Sequence, residues 1–96
     1  MTNHDEDLDA LRARIDALDQ KIVALLNERA HLALEVGRSK AAAGRDEVRD
    51  PEREREVLLR VAMANGGPLP QADLLAVYRT LIDAMVALEE KDRAKQ

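Results

Sequence analysis

Apolar side chains recur along the first part of the chain at Leu8, Leu11, Ile15, Leu18, Ile22 and Leu25, at intervals of three, four, three, four and three residues. That alternation keeps one face of an α-helix apolar and forms a heptad seam. Counting on at the same interval reaches Arg29, Leu32, Val36 and Ser39, so the pattern predicts one helix from about Asp7 to about Ala43. Gly37 weakens such a helix without ending it. After a loop over Gly44–Arg49, Asp50-Pro51 supplies an aspartate N-cap and a proline at the first helical position. The second helix carries Val57, Leu58, Val61 and Ala62 on its apolar face and stops at Asn65-Gly66-Gly67-Pro68. A third begins near Pro70-Gln71, with the stripe Leu74, Leu75, Tyr78, Leu81, Ile82, Met85 and Leu88. No strand-like alternation occurs. The expected fold class is all-α: one domain over residues 1–96, three helices per chain, the first long, with fraying at 1–6 and 92–96.

Composition sharpens this picture. Tyr78 is the only aromatic residue, so the core must be aliphatic, and 96 residues bury only a modest share of their surface. Without cysteine there are no disulfide staples and no thiolate metal site. Further burial is therefore expected from a second chain. The net charge of −4 gives no sign of a nucleic-acid partner. The acidic start MTNHDEDLD does not read as a signal peptide, and no apolar run approaches the roughly 20 residues of a membrane span. A soluble cytoplasmic protein, not bound to a membrane, is expected.

The informative charges are those that interrupt apolar stripes. Arg29 occupies a seam position suited to Leu or Ile, and a buried guanidinium is costly unless it meets an anion. That anion is either a ligand or an internal partner such as Glu35 or Glu54; position alone leaves both open. Lys40 lies beside the same seam and Arg12 flanks it near the other end. On one straight helix they would stand about 42 Å apart, so they cannot share a site within one chain, whereas an antiparallel partner helix would bring them together. Taken singly, Arg12 and Lys40 read as ordinary surface cations. Glu54 continues the face of Val57 and Leu58, and Glu89 continues the line of Tyr78, Ile82 and Met85, so two acids stand where apolar residues belong. The rest of the run RDPERERE reads as a solvated first turn laced with ion pairs. Cations gathered in an apolar interior suit a small dianion. His4 and His31 read as surface histidines, and no metal site or cofactor is expected. No nucleophile–base arrangement or glycine-rich phosphate loop is present.

The ordered set Leu11-Arg12-Ala-Arg-Ile-Asp-Ala-Leu-Asp19, Leu25-Leu26-Asn-Glu-Arg29, Glu35-Val-Gly-Arg-Ser-Lys40 and Arg49-Asp-Pro-Glu-Arg53-Glu54, followed by GPLP and VYRTLIDAMVALEE, resembles the all-helical chorismate mutases. It looks most like the mutase domain at the front of bifunctional prephenate dehydratases, over about residues 7–90. The resemblance implies an intertwined homodimer whose long helices run antiparallel, with two shared sites that rearrange chorismate to prephenate for Phe and Tyr biosynthesis on the shikimate pathway. By position, Arg12 would be donated by the partner chain. Arg29 would hold a carboxylate, and Lys40 a carboxylate and the ether oxygen. Arg53 and Asp50 would line the ring side, Glu54 would take the ring hydroxyl, and Glu89 would face the ether oxygen. Two departures stand out. The loop Ala41–Arg49 varies in length in the family, which leaves Asp50 open to a shift of one place. Met85 falls where some members carry a small polar residue that touches the substrate.

The implied reaction is an intramolecular Claisen shift, which needs a folded substrate conformer and stabilisation of charge on the ether oxygen. Lys40 is a donor by its charge, but Glu89 donates only when protonated. A carboxyl in an apolar site beside a dianion is expected to hold its proton longer, which makes the implied activity pH-dependent. An isochorismate pyruvate lyase or an amino-deoxychorismate mutase would share the same cations. A non-catalytic helical dimerisation module is the alternative from a different class, and it would have no use for Arg29 in the seam. The sequence leaves open feedback regulation and any need for a partner enzyme of the same pathway.

Overall fold

Three helices make up the computed structural model, which describes residues 4–95: α1 (His4–Ala42), α2 (Pro51–Ala64) and α3 (Gln71–Ala94). There is no strand among the described residues. The chain divides into two units, one ending at Leu32 within α1 and the other beginning at Ala33.

In the first unit, α1 opens on Asp5, Glu6 and Asp7. Carboxylates there meet the positive end of the helix dipole. The seam predicted from the spacing forms, and every member stays exposed: Leu8, Leu11, Ile15, Leu18, Ile22 and Leu25 keep between 43% and 62% of their surface open. A continuous row of half-bare aliphatic side chains is unusual on a lone soluble helix.

The second unit holds the last turns of α1, with α2 packed on α3. Its buried apolar residues are Ile82 and Met85, both on α3. The end of α1 is a Schellman turn. Arg45 N–H donates to the Lys40 carbonyl (2.9 Å) and Gly44 N–H to the Ala41 carbonyl (3.0 Å), with Gly44 at φ +78°. Only glycine adopts that left-handed conformation without strain. At the start of α2, the Asp50 side chain accepts from Arg53 N–H at 3.1 Å and Pro51 takes the first helical position, as the Asp50-Pro51 pair predicts. Asn65 ends α2. Its side chain donates to the Leu69 carbonyl and accepts from Gly67 N–H, both at 3.0 Å, folding the turn towards α3.

Both outer helices run further than their polar ends suggest. α1 begins at His4, and α3 continues through Asp92 and Arg93 to Ala94. At the α3 end the reason is specific bonding. Arg38 donates through Nε and Nη2 to the two oxygens of Asp92, each at 3.1 Å. Arg93 donates to the Gly37 carbonyl at 3.3 Å and to the carbonyls of Arg45 and Asp46. Residues 1–3 and 96, part of the ends expected to fray, lie outside the described residues.

Candidate active site

The last turns of α1 carry Gly37 and Lys40, three residues apart and so on one side of the helix. A Cβ on Gly37 would lie 3.4 Å from Glu89 Cγ and 3.6 Å from its Cδ. Glycine at this position therefore lets the Glu89 stem lie directly against α1. Glu89 is half-buried on α3, one turn after the buried Met85. Lys40 is half-buried as well, and its ammonium donates to the Val48 carbonyl at 2.7 Å, which pins the α1–α2 loop.

At the other end of that loop, Glu54 lies in the first turn of α2, where its charge suits the helix dipole. Arg49 Nη1 donates to Glu54 Oε1 at 2.6 Å, and Arg49 Nη2 donates to Asp83 Oδ1 on α3 at 2.8 Å. The second carboxylate oxygen, Glu54 Oε2, is buried with no hydrogen-bond partner among the described residues. Buried acceptors are rarely left unbonded, because burial removes the water that would otherwise satisfy them. Arg49, Glu54, Leu58, Arg79, Ile82 and Asp83 line a cleft of about 230 Å³.

The Arg49 guanidinium is held above its ordinary pKa, first by the hydrogen bond to Asp83 and then by the charge of Glu54. Arg38 is raised likewise, by its hydrogen bond to Asp92 and then by that residue's charge. Both remain cationic throughout the working pH range.

The second unit thus carries Lys40, Asp50, Arg53, Glu54, Met85 and Glu89. Arg12, exposed, and Arg29, half-buried, belong to the first unit. Asp50 is engaged as the α2 N-cap. Arg53 is exposed and donates to Glu56 Oε1 at 2.9 Å, along its own helix. Met85 is a core residue, 8% exposed. Among the described residues no cluster of His, Asp or Glu has the makings of a metal site, and no helix is long and apolar enough to cross a membrane.

Sequence reasoning passed over Arg49, Asp83, Arg38 and Arg93. Arg49 stands one residue before the N-cap, where the capped turn aims it back over α2; that position was the available signal. The pairings of Arg38 with Asp92 and of Arg49 with Asp83 join residues 54 and 34 positions apart, and no local pattern announces them.

The family model for chorismate mutase type II matches residues 11–90. The bifunctional chorismate mutase/prephenate dehydratase of Escherichia coli (strain K12) is 51% identical over 82 residues, covering 84% of this chain and 21% of that protein. The protein of the same name from Aquifex aeolicus (strain VF5) is 42% identical over 90 residues, covering 90% of this chain and 25% of the relative. The chain thus spans about a quarter of the length of these curated relatives. The solved chorismate mutase structure (form II) from Thermus thermophilus superposes with a TM-score of 0.84 at 33% identity, covering 88% of this chain and 94% of that one.

Proposed function

Because the chain belongs to the chorismate mutase type II family, we propose that it converts chorismate to prephenate at a site shared between two copies of itself. The observation that carries this is the extent of the match: residues 11–90 contain every candidate residue from Arg12 to Glu89. The reaction is unimolecular, so the protein needs neither nucleophile nor cofactor. It must hold the folded diaxial conformer, a proximity effect, and place donors where negative charge builds on the ether oxygen.

In this reading Arg29 and Lys40 take the substrate carboxylates, with Arg12 supplied by the partner chain. Lys40 and Glu89 face the ether oxygen. Asp50 and Arg53 line the ring side, and Glu54 accepts from the ring hydroxyl through its unbonded Oε2. The bare α1 seam supports the dimer. Each of its aliphatic side chains is half-exposed in one chain, and covering them contributes on the order of 1 kcal/mol apiece. A pathway enzyme of this kind works in the cytoplasm.

The direct test is loss of chorismate absorbance on adding the purified protein, with isochorismate and amino-deoxychorismate as parallel substrates. Turnover of chorismate is the expected result. Turnover of one of the others alone would reassign the substrate, and no turnover of any would favour a non-catalytic module.

Glu89 supplies a pH signature. A carboxylate cannot donate to the developing charge, so the active form is the protonated one. Activity is therefore full below the Glu89 titration in the substrate complex and falls as pH rises through it. Glu89→Gln, which donates at any pH, is expected to hold its rate at the alkaline end. A flat wild-type profile from acid to neutral pH would contradict this role.

A further inference from the structure

Glu54 is a carboxylate whose two oxygens have been given different fates. Oε1 is held by Arg49 at 2.6 Å, while Oε2 is buried and unbonded. The guanidinium that makes this difference is itself anchored, since its other terminal nitrogen donates to Asp83 on α3 at 2.8 Å. Arg49 is also fixed from its backbone side. The next residue, Asp50, caps α2 through Arg53 N–H, and the Asp50 carbonyl accepts from Glu54 N–H at 2.9 Å. Capped turn, guanidinium and α3 carboxylate form a continuous brace around Glu54, on the wall of the 230 Å³ cleft.

The brace has two chemical consequences. It engages Oε1 and holds the carboxylate in one orientation, so Oε2 is the oxygen left to accept a further hydrogen bond. It also neutralises part of the carboxylate charge, which lowers the attraction for a cationic group while leaving an acceptor for a neutral hydroxyl. We propose that Arg49, tethered by Asp83, is a positioning and specificity-determining residue: it orients Glu54 so that Oε2 accepts one ring hydroxyl, and it biases the site against a substrate with an ammonium at that ring position. The inference rests on the assignment of Glu54 to the ring hydroxyl and adds the residue that sets its geometry and charge.

The test is steady-state kinetics on chorismate and amino-deoxychorismate for the wild type, Arg49→Met, Arg49→Lys, Glu54→Gln and the double variant Arg49→Met/Glu54→Gln. Arg49→Met is expected to raise KM for chorismate about tenfold, with a smaller change in kcat, as expected for loss of one oriented hydrogen bond. Arg49→Lys, which keeps one donor, is expected to recover part of the loss. In the Glu54→Gln background, Arg49→Met is expected to add less than about a twofold effect, because the two residues act as one unit. The kcat/KM ratio of amino-deoxychorismate to chorismate is expected to rise in Arg49→Met, as Glu54 regains its full charge. An undiminished Arg49→Met effect in the Glu54→Gln background, or an unchanged ratio, overturns the proposal. Should Arg49→Met fail to fold, Asp83→Asn gives the second reading. It releases the outer anchor and is expected to raise KM in the same direction by a smaller factor, and an unchanged KM overturns the proposal. Absence of wild-type turnover would remove the mutase assignment and this inference together. A wild type that turns over chorismate with additive variants removes only the brace.

Discussion

Chains carrying Arg12→Ala and chains carrying Lys40→Ala, each expected to be nearly inactive alone, should regain activity when mixed under conditions that exchange subunits. The expectation follows from where the residues stand. Arg12 and Lys40 are 28 positions apart in the sequence, and the heptad spacing predicts a separation at about 1.5 Å per residue that far exceeds the size of a small dianion. A site that uses both is therefore expected to draw them from different chains. In a mixed dimer, one site receives Lys40 from the first chain and Arg12 from the second, while the other site lacks both. Equal mixing places half the dimers in the mixed class, so about a quarter of the sites are whole. Recovery of about a quarter of wild-type kcat per chain is therefore the expected ceiling. Absence of any recovery, with exchange verified independently, would place the complete site within one chain and remove the sharing.

Arg29→Ala and Arg53→Ala are expected to cost at least about 2 kcal/mol of transition-state stabilisation each, roughly 30-fold in kcat/KM, which is the size of a lost charge-assisted donor in a water-poor site. Arg29 is expected to show the larger loss. It is half-buried, and in the proposed site its loss would leave a substrate carboxylate without its partner. Arg53 is exposed and paired with Glu56. A surface pair of this kind is worth no more than about 1 kcal/mol, so Arg53 can leave Glu56 for a substrate at little cost. Thermal unfolding of each variant separates lost catalysis from lost fold. Near-wild-type turnover in either variant removes that residue from the site. Arg29→Leu gives the sharpest contrast: a gain in stability with no loss of activity would mark Arg29 as a seam residue and no more.

Much of this molecule was legible before its structure. The heptad spacing from Leu8 to Leu25 specified a long amphipathic helix, because a period between three and four residues places side chains on one helical face whatever surrounds them. Asp50-Pro51 and Asn65-Gly66-Gly67-Pro68 marked the bounds of α2, because capping and left-handed turns are local chemistry. Arg29, Glu54 and Glu89 drew notice because a charge within an apolar stripe violates a local rule. The brace around Glu54 was not legible, since its guanidinium lies within a charge run that reads as solvated surface, and its anchor Asp83 is remote in sequence.

What the sequence determined by itself was the helical architecture and the bounds of α2, since each follows from contacts within a turn or two of helix. What only the tertiary structure decided was which charges meet. Gly37 leaves room for the Glu89 stem, Arg93 binds the loop carbonyls next to Lys40's end of α1, and Arg49 commits one oxygen of Glu54 while the other stays buried and unbonded. Those pairings depend on how separate helices lie against one another, and a hydrogen bond exists only at the distances that packing allows.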